Sequence, residues 1–187
     1  MDLQRARAYY IGLIDSLDNI VKYDGSPWIY SCAATLIDQL AKLADGSDQK
    51  AAGYKNFVRD YLSRVDPRYL TFTYASGDTD LPEQMYHILR CGIVHAFSLV
   101  ADPQSAAKGG RDRSIVLTHR YSAGNKSHLS SYSGPMATDS CLLIAEDFLN
   151  DLRKVIELLF DEACNNQAIE TNILTWMTHQ PPIAAGV

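Results

Sequence analysis

Apolar side chains recur at three- and four-residue steps over long stretches of this chain, and that spacing points to a largely helical fold. Leu3, Ala6, Tyr10, Leu13, Leu17 and Ile20 form the first such stripe, one face of an amphipathic helix. Asp24-Gly25-Ser26-Pro27 breaks it, and Ser26 and Pro27 suit the cap and first position of the next helix. That second helix, Trp28 to about Ala44, carries no charge before Asp38, as expected of a helix running through the middle of a bundle.

Tyr54, Phe57, Val58, Tyr61 and Leu62 stripe a third helix that stops by Pro67, because the residue before a proline avoids helical dihedrals. Tyr69 to Tyr74 has strand-like composition but is short and isolated, and reads as a linker across the core. Asp80, Pro82 and Glu83 make a capping pattern for a fourth helix reaching about Val100. Thr138 or Asp139 is expected to cap a long fifth helix to about Ala163, with Leu142, Leu149, Leu152, Ile156 and Leu159 inward. A short sixth helix covers about Ile169 to Met177. Between the fourth and fifth, Ala101 to Ala137 is rich in Gly, Ser and charge, and Ser114-Ile115-Val116-Leu117-Thr118 suits one arm of a small hairpin. Trp28, Tyr30 and Tyr54 read as core aromatics. The expected architecture is therefore all-α. It is a bundle of five to six helices with a short irregular or hairpin insertion between the fourth and fifth, one domain over 1–180 and a loose tail over 181–187.

With 187 residues the chain is long enough to bury a core of its own. No apolar run approaches the roughly 18 residues of a membrane span. The opening Met1-Asp2-Leu3-Gln4-Arg5 lacks a signal-peptide layout, so a cytoplasmic location is expected. The four cysteines, Cys32, Cys91, Cys141 and Cys164, are widely scattered and read as free thiols behaving as small hydrophobes. A net charge of −5 argues against a general nucleic-acid coat protein. Yet Gln104 to His128 holds Lys108, Arg111, Arg113, Arg120 and Lys126 against only Asp112. Such a basic loop is usually a solvated hairpin, but Arg111, Arg113, His119 and Arg120 are its candidate phosphate contacts.

The segment with the most chemical content lies in the fourth helix. On a wheel drawn at about 100° per residue, Met85, Ile88, Leu89, Gly92, Ile93 and Phe97 gather on a core face. Arg90, Val94, His87, Ser98, Cys91 and His95 fall opposite, a face without Asp, Glu or Lys from Arg90 to His95. A face neither clearly core nor clearly wet suits a cleft or a subunit interface. Arg90 and His95 border it about 140° apart, so a neighbouring helix or a second copy is needed to bring them together.

Arg90-Cys91-Gly92-Ile93-Val94-His95 resembles the signature of the HEPN superfamily, helical proteins with Arg and His separated by four to six residues. Ala33-Ala34-Thr35-Leu36-Ile37-Asp38-Gln39-Leu40 resembles the apolar helix that precedes the motif in those bundles. The resemblance implies a homodimer in which two motifs meet across a cleft lined here by His87, Cys91, Val94 and Ser98. For catalytic members it implies a metal-independent endoribonuclease needing no cofactor. Arg90 would hold the scissile phosphate, since guanidinium binds phosphate bidentately. His95 would act on the 2′-hydroxyl or the leaving oxygen, since imidazole titrates near neutrality. The sequence departs from the family pattern at Cys91, where a polar residue, often Asn, usually follows the Arg. The alternative is a non-catalytic module that binds nucleotide, RNA or a protein partner through the same cleft.

Two other readings compete for these residues. His87, Cys91 and His95 at i, i+4 and i+8 have the spacing of metal ligands, with His119 or His128 as a distant fourth. Cys91 and His95 also form a nucleophile–base pair by residue type, although nothing names an orienting third group.

Overall fold

The computed structural model describes residues 2–24, 28–47, 50–93, 103–135 and 137–179. The helix α1 (Leu3–Asp24) is followed by α2 (Trp28–Asp45) and α3 (Lys50–Phe57), which continues through a π-helical turn, Val58–Leu62, into Ser63–Val65. After the short α4 (Arg68–Thr71), α5 starts at Leu81–Gln84 and widens into the π-helical Met85–Ile93. Asp80 caps α5, its side chain accepting from the Glu83 amide at 2.8 Å, as the Asp80–Pro82–Glu83 pattern predicts. Next come α6 (Pro103–Ala106), β1 (Ile115–Thr118), α7 (Arg120–Ala123), β2 (Ser130–Gly134), β3 (Ala137–Ile144), α8 (Ala145–Ala163) and α9 (Gln167–His179).

The all-α expectation is overturned: the region between the fourth and fifth predicted helices builds a three-stranded mixed sheet of order β1-β3-β2, and the described elements are not a bundle of five to six helices. β1 runs parallel to β3, with Ile115 opposite Cys141 and Thr118 opposite Ile144. β2 returns antiparallel on the other side, Ser130 facing Leu142. The segment expected to open the fifth helix is the central strand. Ser140 to Ile144 is buried throughout, and a strand covered on both faces shows no polar–apolar alternation. Asp139 is not a helix cap. It sits at φ 52 with its carboxylate accepting from the Ala75 and Ser76 amides. The helix begins only at Ala145, with Glu146 and Asp147 in its first turn, where acidic side chains favour the helix dipole. The Tyr69–Tyr74 stretch is part α4, part a single bridge from Thr73 to Asp80.

α8 is the hub of the core. Phe148, Leu152, Val155, Ile156 and Leu159 are fully buried, against Tyr10 and Ile14 of α1 and Ile29, Ile37 and Leu40 of α2. One face of the sheet, with Ile115, Cys141 and Leu143, belongs to this same core. The other face makes a small separate cluster of Leu142, Ile144 and Ala123 with Val116 and Tyr132. Tyr30 and Tyr54 are core aromatics as expected, whereas Trp28 is 59% exposed, at the first position of α2, where no stripe yet has to face inward.

Two polar junctions fix the sheet to the helices. The Tyr30 hydroxyl reaches the Thr118 carbonyl at 2.6 Å and the Leu143 carbonyl at 3.1 Å, and accepts from the Thr118 amide at 3.1 Å. His128, only 5% exposed, accepts the Ile144 amide proton at Nδ1 (3.0 Å). The ring proton of the neutral imidazole therefore sits on Nε2, 3.2 Å from the Tyr69 hydroxyl, which donates to Asp151 Oδ2 at 3.2 Å. Arg68 adds a bond from its guanidinium to the His128 carbonyl. Among the described residues no helix is long and apolar enough to cross a membrane.

Candidate functional site

Of the motif residues, Arg90 and Cys91 lie on the π-helical part of α5, while Val94, His95 and Ser98 fall outside the described residues. The winding itself changes the reading of the face. A π-helix bonds i to i+5, so a wheel at 100° per residue misplaces side chains between Met85 and Ile93. Wide turns of this kind are frequent at functional sites.

Arg90 is about a quarter exposed, its Nη2 3.5 Å from Asp38 Oδ2 on α2. Lys42, one turn further along α2, places Nζ 3.5 Å from the same oxygen and lies over the Trp176 ring of α9. One carboxylate thus stands between two cations on neighbouring helices, and the three groups together carry a single positive charge. Tyr54 of α3 is fully buried beside them, with Asp38, Arg90 and Cys91 among its electrostatic neighbours. Its phenol is held far above its ordinary value, chiefly by burial, with the Asp38 charge adding. Burial also pushes the Tyr86 phenol up to about 12, helped by the contact with Cys91.

His87 does not line an open face. It is 2% exposed, with Nε2 3.1 Å from Glu83 Oε1 and a buried Nδ1 that has no hydrogen-bond partner. Glu83 also takes the Lys55 ammonium at 3.0 Å, and Lys55 lies over the Tyr86 ring. Glu83 and His87 therefore form a second polar group one turn and more N-terminal to Arg90. Among the described residues no three His, Cys, Asp or Glu side chains gather as a metal-binding group.

The basic insertion is held by acids from elsewhere in the chain. Arg111 pairs with Asp139 at 2.9 Å and Asp78 at 3.6 Å, and Arg120 pairs with Asp147 of α8. Lys126 lies over Tyr132. Arg113 adopts φ 55 and lines an apolar groove along β1 with Val116, Leu117 and Tyr132. His119 is the extended residue that precedes α7. Arg111 and Arg120 are thus engaged in structural ion pairs.

Sequence reasoning missed Asp38, Lys42, Tyr54 and Glu83 as members of this neighbourhood. Asp38 had a signal, being the first charge on a helix that is uncharged up to that point. Such a carboxylate needs a partner, and Lys42 one turn on is half of the answer. Compared with known protein families, with characterised proteins and with solved structures, the chain matches none of them, so the chemistry of the Arg90 site is read from its own geometry.

Proposed function

We propose that this chain is a HEPN-like phosphate-binding module that takes RNA, or a nucleotide, at Arg90. The observation that carries the reading is the shared carboxylate: Asp38 Oδ2 lies 3.5 Å from both the Arg90 guanidinium and the Lys42 ammonium. A guanidinium has five donors in a fixed fork. Such a fork binds phosphate bidentately, and Asp38 beside it orients the guanidinium. The partial exposure of Arg90 leaves it both reachable and incompletely hydrated, which strengthens a charged contact. The resemblance adds a second copy of the chain closing the cleft and a cytoplasmic setting in which the free thiols stay reduced.

The test is binding of a single-stranded RNA oligonucleotide followed by fluorescence anisotropy, with sedimentation velocity to give the oligomeric state. Arg90→Ala is expected to weaken binding about tenfold or more, in line with roughly 1.5–3 kcal/mol for a hydrogen bond to a charged group, with folding unchanged by circular dichroism. Equal affinity of the variant and the wild type would overturn the reading. The same samples incubated with RNA in EDTA test the ribonuclease version: cleavage abolished by His95→Ala supports it, and intact RNA in both samples removes it and leaves the binding module.

A further inference from the structure

β1 is an edge of the sheet: the strand order is β1-β3-β2, and among the described elements only β3 packs along it. The Ser114 carbonyl accepts from the Cys141 amide at 2.9 Å. Backbone groups alternate in direction along a strand, so Ser114, Val116 and Thr118 turn theirs towards β3. Those of Ile115 and Leu117 point away from the sheet, and no other described segment bonds to them.

An edge of this kind invites a further strand, and proteins blunt it with charge, proline or a bulge. β2, the other edge, has such a guard. Its pairing with β3 shifts register between Tyr132 and Gly134, and Pro135 follows. β1 has none. Ile115-Val116-Leu117-Thr118 is uncharged, keeps an even register and is rich in the β-branched residues that favour strands.

The face of the sheet that carries Leu142 and Ile144 is only half covered. α7 packs Ala123 on those two residues, at the end where Thr118 stands opposite Ile144. At the other end lies an apolar groove of about 480 Å3, bordered by Ile115, Val116, Tyr132, Pro135 and Ala137. Val116 and Tyr132 belong to the same small cluster as Ala123, so the groove and α7 share a face. α7 in turn carries Tyr121, a large aromatic that is 98% exposed.

We infer that β1 pairs antiparallel with β1 of a second copy about a two-fold axis at Val116, with Tyr121 of each copy seated in the groove of the other. A strand paired antiparallel with its own copy is self-complementary. Ile115 and Leu117 of one copy exchange backbone bonds with Leu117 and Ile115 of the other, while Val116 faces Val116 as a pair without hydrogen bonds. The axis stands perpendicular to the sheet, so the two three-stranded sheets join into one and each keeps its faces. The antiparallel alignment brings the Thr118 end of one copy, with α7, beside the Ile115 end of the other, where the groove opens. Arg113 also borders the groove. At the arriving end Glu146 and Asp147 offset Arg120 and Lys126, so no net positive charge is brought against it. A buried tyrosine contributes about 150–250 Å2, and two of them with the paired strands belong to the small, reversible class of interface below about 1,200 Å2. The inference uses none of the Arg90 residues and is independent of the phosphate reading.

The test is sedimentation equilibrium of the full chain from roughly 1 to 200 μM, the range in which weak interfaces form. A dimer with a micromolar Kd is expected. Tyr121 is solvated in the single chain, so Tyr121→Ser leaves the fold intact and should raise Kd about tenfold or more, as loss of a central aromatic anchor does. Val116→Cys is made together with Cys32→Ser and Cys164→Ser, because those two thiols are exposed. On oxidation with diamide it should give a disulfide-linked dimer, since a pair without hydrogen bonds brings Cα atoms to about 4.5 Å. Leu117→Cys in the same background should not, because it meets its own copy only diagonally, roughly 7–8 Å away.

A chain that stays monomeric over the whole range overturns the inference. So does a dimer in which Tyr121→Ser changes nothing and Val116→Cys does not cross-link, a result that leaves a dimer at the Arg90 face standing. Cross-linking at Val116 with no effect of Tyr121→Ser keeps the strand pairing and refutes the seat of Tyr121. Cross-linking at Leu117 in place of Val116 refutes the axis.

Discussion

The His128 junction gives the clearest quantitative expectation. His128→Ala deletes the acceptor of the Ile144 amide at the point where β3 turns into α8, and it removes the partner of the Tyr69 hydroxyl. It also empties the space between Tyr69 and Phe148, whose rings lie 6.1 and 6.4 Å from the imidazole. The Arg68 bond survives, because it is made to the His128 carbonyl. An orphaned buried amide costs about 1–3 kcal/mol, and truncating a large buried side chain to Ala costs roughly 2–5 kcal/mol. These terms overlap, so a loss of about 4 kcal/mol is expected. For a chain of this size each kcal/mol moves Tm by about 2–4 °C, which gives a drop of roughly 8–16 °C. Urea unfolding followed by circular dichroism reads the same loss as a lower midpoint at unchanged m. His128→Asn separates the two causes. Its amide oxygen stands close to the position of Nδ1 and restores the acceptor without refilling the space, so it should recover between a third and a half of the loss. A loss below about 1 kcal/mol for the alanine variant, or an asparagine variant no better than alanine, would refute this account of the junction.

Tyr30→Phe should cost about 1–3 kcal/mol, measured by urea unfolding, because one hydroxyl serves both Thr118 and Leu143. Gly46→Ala should lower Tm by a few degrees. Gly46 sits at φ +75, and a Cβ there would lie 2.5 Å from the Asn172 side chain, adding a contact to the roughly 1–2 kcal/mol of a left-handed non-glycine residue. Two carboxyls are held below their ordinary values. Asp66 owes this to the Arg68 guanidinium. At Asp139 burial pushes the other way and is outweighed by the Ala75 and Ser76 amides and Arg111. A carboxyl depressed in the folded state contributes stability above its unfolded pKa of about 3.9. That stability is lost as pH falls through the lower folded value. Urea midpoints should therefore be steady above about pH 5 and fall below about pH 4, with a shallower fall in Asp139→Asn.

The helices were legible because their buried faces repeat every three or four residues, as Ala6, Tyr10, Ile14 and Leu17 do on α1, and the cap of α5 was legible in Asp80. The sheet was hidden by its own burial. Leu142, Leu143 and Ile144 are covered on both sides and run straight into the apolar stripe of α8, so strand and helix read as one apolar segment. The ion pairs of the basic insertion were invisible for another reason: Arg111 meets Asp139, and Arg120 meets Asp147, across distances in sequence that no local pattern records. At the candidate site, Arg90 stood out by residue type. Its partner Asp38 required knowing that α2 packs on α5, and the π-helical winding of Met85–Ile93 left no trace in residue choice.

The parallel pairing of β1 with β3 has a consequence for the nascent chain. Ile115 reaches its partner Cys141 only after α7 and β2 have been made and the chain has doubled back, and closing such a circuit carries an entropy cost that neighbouring strands avoid. α8 follows β3 without a break, so the hub of the interior arrives late, ahead only of α9 among the described elements. Until the ribosome has delivered it, α1 lacks the helix it packs on most extensively, and α2 is covered only in part, by α3 and α5. A molecule released short of Ala145 should behave as a client of chaperones and proteases rather than as a smaller version of the same protein.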